Sequence, residues 1–319
     1  MIRTLALICL ATPALATAAH ADAGDVIDSY ILPGVDRFAD AADALAAADC
    51  NMPALKTAFA ETAQAWAAIS HLEMGPIQDE GRSRAVLFWP DDRDATARGL
   101  RLLQAQGADA LTSEAMAKAS VAARGLGALE RQIFDSDAQP CDLTEALADD
   151  LAATAGQIRD GWHDDFADQM RHPGQAGNTR FLTDAEVDQA LFTALMAGLE
   201  HLSDQRIGRP LGSFDEPKPL RAELRRSGQS LPMVRAQIAG LRQMAAALGP
   251  DPQTDAALAR AQDQAGRAGD PSLADVEDPA ARFRIEAIQT SIREAITHAQ
   301  AELGDALGIQ AGFNAADGD

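Results

Sequence analysis

Between Trp66 and Asp92 the chain reads WAAISHLEMGPIQDEGRSRAVLFWPDD. Side chains that can bind or react are gathered there: an imidazole (His71), a carboxylate (Glu73), two guanidinium groups (Arg82, Arg84) and two indoles (Trp66, Trp89). An aromatic anchor beside clustered charge suits a pocket wall, and equally a well-packed helix corner. A second carboxylate, Glu130, closes the run Gly125-Leu126-Gly127-Ala128-Leu129-Glu130. At helical spacing it shares a face with Leu126, Gly127, Ile133 and Phe134. A carboxylate on an apolar stripe must be paired, hydrogen-bonded, metal-bound or protonated. Arg82, Arg84, Arg124 and Arg206 are the candidate partners, and a buried Glu–Arg pair between helices is the plainest outcome. Gly125 and Gly127 each weaken a helix by about 1 kcal/mol relative to Ala, which makes sense where another backbone or a ligand approaches closely.

In the second half Glu200-His201 is followed by Asp204 and Arg206. Neighbouring residues on a helix point about 100° apart, so Glu200 and His201 cannot chelate one ion as an i, i+4 pair can. The same holds for His163 with Asp164 and Asp165, which reads as a solvated face. The chain has no His-Glu-x-x-His zinc helix, Gly-x-Ser-x-Gly elbow, phosphate-binding loop or dinucleotide fingerprint, so no local motif supports catalysis.

The elements that must position these residues are helical. Few stretches alternate β-branched residues with period two, while Ala and Leu recur at helical spacing. The patterns predict helices over 35–48, 52–74, 94–106, 112–134 (Ser113 as cap), 142–170, 183–202, 231–248 and 278–307. Residues 251–265 are polar and weakly periodic. Arg82 and Arg84 fall on a loop after a helix ending near Met74. Thr183-Asp-Ala-Glu186 is a capping box, and Val187, Leu191, Leu195, Leu199 and Leu202 mark one apolar face. The Pro/Gly-rich passage at 208–219 leads into a basic turn, 221–226. The clearest break, His172 to Thr179, divides the chain into an N-terminal bundle (22–172), a linker (173–179) and a C-terminal bundle (180–319). His71-Leu72 and His201-Leu202 both stand late in a predicted helix before a Gly/Pro/Arg passage, which suggests duplication of one unit.

The chain has 319 residues, 47% of them hydrophobic but only 4% aromatic, so its core is built of Ala and Leu. Arg3, the apolar run 5–18 and Ala19-His20-Ala21 form a secretory signal with cleavage near Ala21. This predicts a periplasmic protein with no transmembrane segment in the mature chain. The formal net charge is -21, which disfavours nucleic acid and anionic lipid as partners. Cleavage takes away Arg3 and no acid, making the mature chain one unit more negative. Cys50 and Cys141 survive cleavage and, in an oxidising compartment, predict one disulfide closing a loop of about 90 residues, worth on the order of 4 kcal/mol. A metal site at these two cysteines has no His or further Cys at ligand spacing.

Taken in order, several short motifs resemble the imelysin-like family, in its branch of predicted periplasmic proteins. They are Trp66 through Gly75-Pro76, Phe88-Trp89-Pro90-Asp91, Gly125-Leu126 through Glu130, Leu199-Glu200-His201 through Arg206-Ile207-Gly208, Arg226-Ser227-Gly228 through Ser230-Leu231, and Gly312-Phe313-Asn314 through Asp317-Gly318-Asp319. The resemblance implies an all-α fold of two helical bundles related by internal duplication, a site where they meet, and a link to bacterial iron uptake, with iron-uptake components of the cell envelope as partners. The family takes its name from an insulin-cleaving membrane protease, and its hallmark is Gly-x-His-x-x-Glu. Here Gly127 stands at the histidine position, so an i, i+3 His/Glu metal pair cannot form on this helix. Three readings follow: an iron-linked binding or accessory protein, a metallopeptidase, and a helical scaffold in which Glu130, Arg84 and Arg206 form a structural ion-pair network. For the first, Glu130, Glu73 and His71 are expected to converge with Glu200 and His201 at the domain interface as candidate ligands of iron or another metal ion, with Trp89 as a wall and Arg84 and Arg206 nearby.

Overall fold

Runs of Ala and Leu at helical spacing do form helices. In the computed structural model, which describes residues 23–135 and 141–309, no strand is present among the described residues. The expected signal peptide (1–21) and the Gly312 to Asp319 motif lie outside those residues. Helix α1 spans 23–46 with a π-turn at Ile27–Ile31, and α2 spans Met52–Ile69. Asn51 starts α2 by accepting the Ala54 N–H at 3.2 Å, with a proline in the first turn. Short α3 (Arg82–Val86) is followed by α4 (Ala95–Gln106), α5 (Ser113–Lys118) and α6 (Gly125–Phe134). Helix α7 covers 141–171 around a π-turn at Trp162–Phe166, and α8 covers 184–211 around a π-turn at His201–Ile207. Then come α9 (Ser230–Leu248), α10 (Pro252–Arg267), α11 (Pro279–Ala301) and α12 (Leu303–Ala306).

Several boundaries differ from the sequence expectation: the first helix, expected over 35–48, begins at Ala23 and ends at Ala46, and the helix expected over 183–202 runs on to Leu211. Helix α2 stops at Ile69, not near Met74; residues 71–81 turn through two 3₁₀ pieces, Gly75–Ile77 and Asp79–Gly81, and Gly75 takes φ +48° with the Phe166 ring against it. Arg82 and Arg84 consequently stand on α3 and not on a loop. The single helix expected over 112–134 is broken between α5 and α6, and its cap is Thr112, which accepts the Ala115 N–H at 3.3 Å. The break has a backbone cause. Gly125 takes φ +65°, and a Cβ there would lie 2.2 Å from the Ala85 carbonyl oxygen. The weakly periodic 251–265 stretch is a full helix, capped by Asp251, whose carboxylate accepts from Gln253 and Thr254 N–H.

Helices α1, α2, α6 and α7 pack on one another, and α8 to α11 do the same. Within a shared apolar core, α9 lies against α2 and joins the two groups. That approach is close enough to exclude a methyl group: a Cβ on Gly240 would meet the Ala68 carbonyl oxygen at 2.2 Å. The passage between α7 and α8 is held by Asn178, which donates to the Gln169 and His172 carbonyls and accepts from Arg180 and Phe181 N–H. Cys50 and Cys141 are joined by a disulfide with a Cα–Cα distance of 5.9 Å, tying the turn before α2 to the start of α7. Among the described residues no helix is long and apolar enough to cross a membrane.

Candidate functional site

Where the two helix groups meet, the early end of α9 is preceded by a strap, residues 212–229, that runs back across the first group. Glu130 on α6 is 4% exposed and faces this strap. Its Oε1 accepts from the Ser227 N–H at 2.9 Å and from the Ser227 hydroxyl at 2.8 Å, and Oε2 lies 3.9 Å from Arg226 Nη1. Burial pushes the Glu130 carboxyl above its ordinary range, opposed by the Ser227 hydrogen bonds and by Arg226 and Arg225. The expected guanidinium partners are engaged elsewhere. Arg82 pairs with Glu80 at 2.6 Å and reaches Gln157, Arg124 holds Asp150 through two bonds of 2.8 Å, and Arg206 pairs with Glu223 at 2.6 Å. Arg84 is exposed on α3. The network of Glu130, Arg84 and Arg206 therefore does not form: Arg206 is held by Glu223, Gln237 and Ser70, and Arg84 is exposed on α3.

Beside Glu130 opens a cavity of about 350 Å³. Trp89, Glu130 and Gly127 line it from the first helix group, and Arg209 and strap residues Arg225 and Arg226 line it from the second. Trp89 meets the His201 ring edge-on at 6.1 Å and carries the Arg209 guanidinium 5.6 Å from its ring centre. Arg209 is paired with Asp92 at 2.6 Å, Arg131 with Asp94, and Arg226 with Asp135 at 3.0 Å. Asp91 accepts from Ala95 N–H at 2.7 Å and Thr96 N–H at 2.9 Å. Burial raises the Asp91 carboxyl, but these amide bonds outweigh it and hold the group below its ordinary range. Gly127 faces the cavity with only the Phe88 carbonyl oxygen near, at 3.9 Å from a built Cβ.

Behind Trp89 lies a buried polar cluster. Arg206 donates to Glu223, to Gln237 Oε1 at 2.8 Å and to Ser70 Oγ at 3.3 Å. The π-turn at His201–Ile207 carries both His201 and Arg206; its wider i to i+5 turn brings residues five apart toward one side. His71 Nε2 is 3.0 Å from the Tyr30 hydroxyl, whose proton goes to the Ala68 carbonyl at 2.6 Å. Tyr30 must then accept from His71, which fixes the proton on Nε2 and leaves Nδ1 as a bare, buried acceptor with no partner among the described residues. Burial first, then Arg206 and His201, push the His71 pKa down to about 3. Burial and Arg206 push His201 down to about 3 as well. Both imidazoles are neutral at physiological pH.

Of the residues singled out from sequence, Glu130 and Trp89 meet at the cavity, and His71, His201 and Arg206 meet in the cluster behind it. Glu73 and Glu200 are exposed. Glu73 turns outward once α2 has ended, and Glu200 points away from His201 as adjacent helical residues must. Among the described residues no three of Glu130, Glu73, His71, Glu200 and His201 bring ligand atoms within 4.8 Å of one another. The group that does is Cys50, Cys141 and Glu145, and its cysteines form the disulfide. Sequence reasoning missed Tyr30, Arg131, Arg209, Glu223, Arg225 and Gln237. The doublet Arg225-Arg226 ahead of Ser-Gly was the available signal, since two adjacent cations after a Pro/Gly-rich passage need anionic company.

Two solved structures share this architecture. An imelysin-like protein from Psychrobacter arcticum 273-4 superposes with a TM-score of 0.72 at 19% identity, covering 92% of this chain and 98% of that one. A protein provisionally named iron-regulated protein A precursor, from Parabacteroides distasonis ATCC 8503, gives a TM-score of 0.68 at 15% identity, covering 93% of this chain and 97% of that one. At these identities the likeness is one of fold. No curated protein matches the sequence. The Imelysin family model matches residues 30–299, most of the chain, and the chain belongs to that family.

Proposed function

We propose that this chain is an exported, periplasmic binding or accessory component of iron acquisition, with its ligand held in the cavity beside Glu130. In this reading 22–172 and 180–319 are its two units, related by duplication, and iron-uptake components of the cell envelope are its partners. One observation carries it: the cavity lies where the two helix groups meet and is built from motifs that run through the family resemblance, Phe88 to Asp91, Gly125 to Glu130 and Arg226 to Gly228. The name given to the Parabacteroides relative points the same way. The test is iron titration and metal analysis of the exported protein beside Glu130→Ala, with growth of a deletion strain under iron limitation. A growth defect, with stoichiometric binding of iron or an iron complex lost in Glu130→Ala, supports the proposal. Unaltered growth and no iron in any form on the wild type overturn it.

A second reading, a helical interaction protein without a small ligand, is favoured by the way Glu130 clamps Ser227. Removing that carboxylate leaves the Ser227 donors to find other partners and costs about 1–3 kcal/mol. In that case Glu130→Ala lowers the unfolding midpoint while ligand titrations of both proteins stay flat.

A further inference from the structure

The charges around the cavity are not balanced one for one. Arg209, Arg131 and Arg226 each have an acidic partner in Asp92, Asp94 and Asp135. Asp91 is occupied by two backbone N–H groups, and Glu130 Oε1 by Ser227. Arg225 is half-buried at the cavity and, among the described residues, its guanidinium makes no hydrogen bond and no ion pair, while its backbone carbonyl accepts from the Gly228 N–H at 3.2 Å. Arg226 and Arg131 stand close enough to repel it and Glu130 and Asp135 close enough to attract it, though neither carboxylate pairs with it, and Arg221 adds a further guanidinium to the lining. In a chain of formal net charge -21 this concentration of arginine is not the background of the surface. Half-burying a guanidinium whose donors meet no acceptor is unfavourable, and an anion placed directly against it would satisfy them.

Resting on the iron-linked reading above, we infer that the cavity recognises its ligand through carboxylate groups: a small polycarboxylate, free or as a ferric complex, seated on Arg225 against the Trp89 wall. The guanidinium groups come from α6, the end of α8 and the strap, so they surround the space. That spread matches an anion whose charges are several bonds apart better than a compact phosphate. Arginine forks pair with carboxylates through two parallel N–H···O bonds. A volume of about 350 Å³ lies at the small end of ligand pockets. The ring of Trp89 and the side chains of Leu87 and Leu224 offer apolar contact for a carbon skeleton.

The experiment is calorimetry on the mature chain with citrate, ferric citrate, ferric ion held by a weak non-carboxylate chelator, and inorganic phosphate. Wild type, Arg225→Gln and Arg225→Lys are compared, circular dichroism showing that each variant is folded. Expected is one-to-one binding of citrate or ferric citrate, weakened at least tenfold in Arg225→Gln, partly restored in Arg225→Lys, and weaker at higher salt. Equal binding of the free and ferric forms identifies the anion itself as ligand; preference for the ferric form identifies the chelate; both support the inference. Binding of neither, binding of phosphate alone, iron binding indifferent to position 225, or citrate binding unchanged in Arg225→Gln overturns it. Binding of free citrate alone, with no iron bound in any form and no iron-limited growth defect, would keep the inference and remove the iron-linked reading; the growth defect without citrate binding would do the reverse.

Discussion

His71 and His201 are two neutral imidazoles held beside Arg206, and their burial has a measurable signature. Each folded-state pKa is about 3 against the ordinary 6.5. Between those values the unfolded chain binds a proton at each site that the folded chain does not. The stability these groups contribute is present above pH 6.5 and lost as pH falls toward 3, with a slope of up to about 1.4 kcal/mol per pH unit for each histidine. Urea unfolding followed by circular dichroism from pH 7 to pH 5 is expected to show falling stability, and His71→Gln to flatten the slope. Glu130 has the opposite sign. Its raised folded-state pKa favours the folded protein below the ordinary carboxyl range, and that contribution fades as pH rises through the folded value, so it opposes the histidine effect. The burial of Glu130 was legible from its apolar neighbours at i±3 and i±4. Its partner was not, because Ser227 lies 97 residues away and no local pattern links them.

Helix α6 shows what a helix owes to its neighbours and what to its own residues. Gly125 and Gly127 look alike in sequence, yet their surroundings differ. At Gly125 the positive φ and the Ala85 and Val86 carbonyls leave no room for a methyl group. At Gly127 the backbone is ordinarily helical and the nearest atom to a built Cβ is 3.9 Å away. Thermal unfolding is expected to place Gly125→Ala well below wild type, by more than about 1 kcal/mol, and Gly127→Ala above it by up to about 1 kcal/mol. Equal effects would show that the close backbone approach at Gly125 is not what breaks the helix. The same contrast explains which elements could be read. Helices α1, α2, α8, α9 and α11 announce themselves by Ala/Leu period and caps, as at Asn51, Thr183 and Asp278. The break before α6 is set by the distant Ala85 and Val86 backbone, which leaves no trace in local composition.

At the scale of the molecule, the α2–α9 contact joins the two helix groups, and small residues make it possible. Gly240 lets α9 approach the Ala68 backbone of α2, at the price of tolerating no growth at that point. Gly240→Ala is expected to destabilise the chain by about 1–3 kcal/mol, since the obstructing atom is backbone and not the end of a flexible side chain. Differential scanning calorimetry would register this as a lower melting temperature. Little change would mean that the helices slide past each other without strain. The aromatic-poor, Ala-rich composition foretold this style of packing; which glycine stands at the crossing depends on the angle of approach and could not be foretold.

The strap that leads into α9 is fastened on both sides of Arg225. Two residues earlier Glu223 is locked into the buried cluster by Arg206, and two residues later Ser227 is locked onto Glu130. The backbone at Arg225 therefore has no slack: it cannot swing out to fetch a ligand, and it need not be drawn in to hold one. On the proposal above, a carboxylate ligand would meet a strap already set, so little backbone ordering entropy would be lost and selection would rest on fit to a preformed shape.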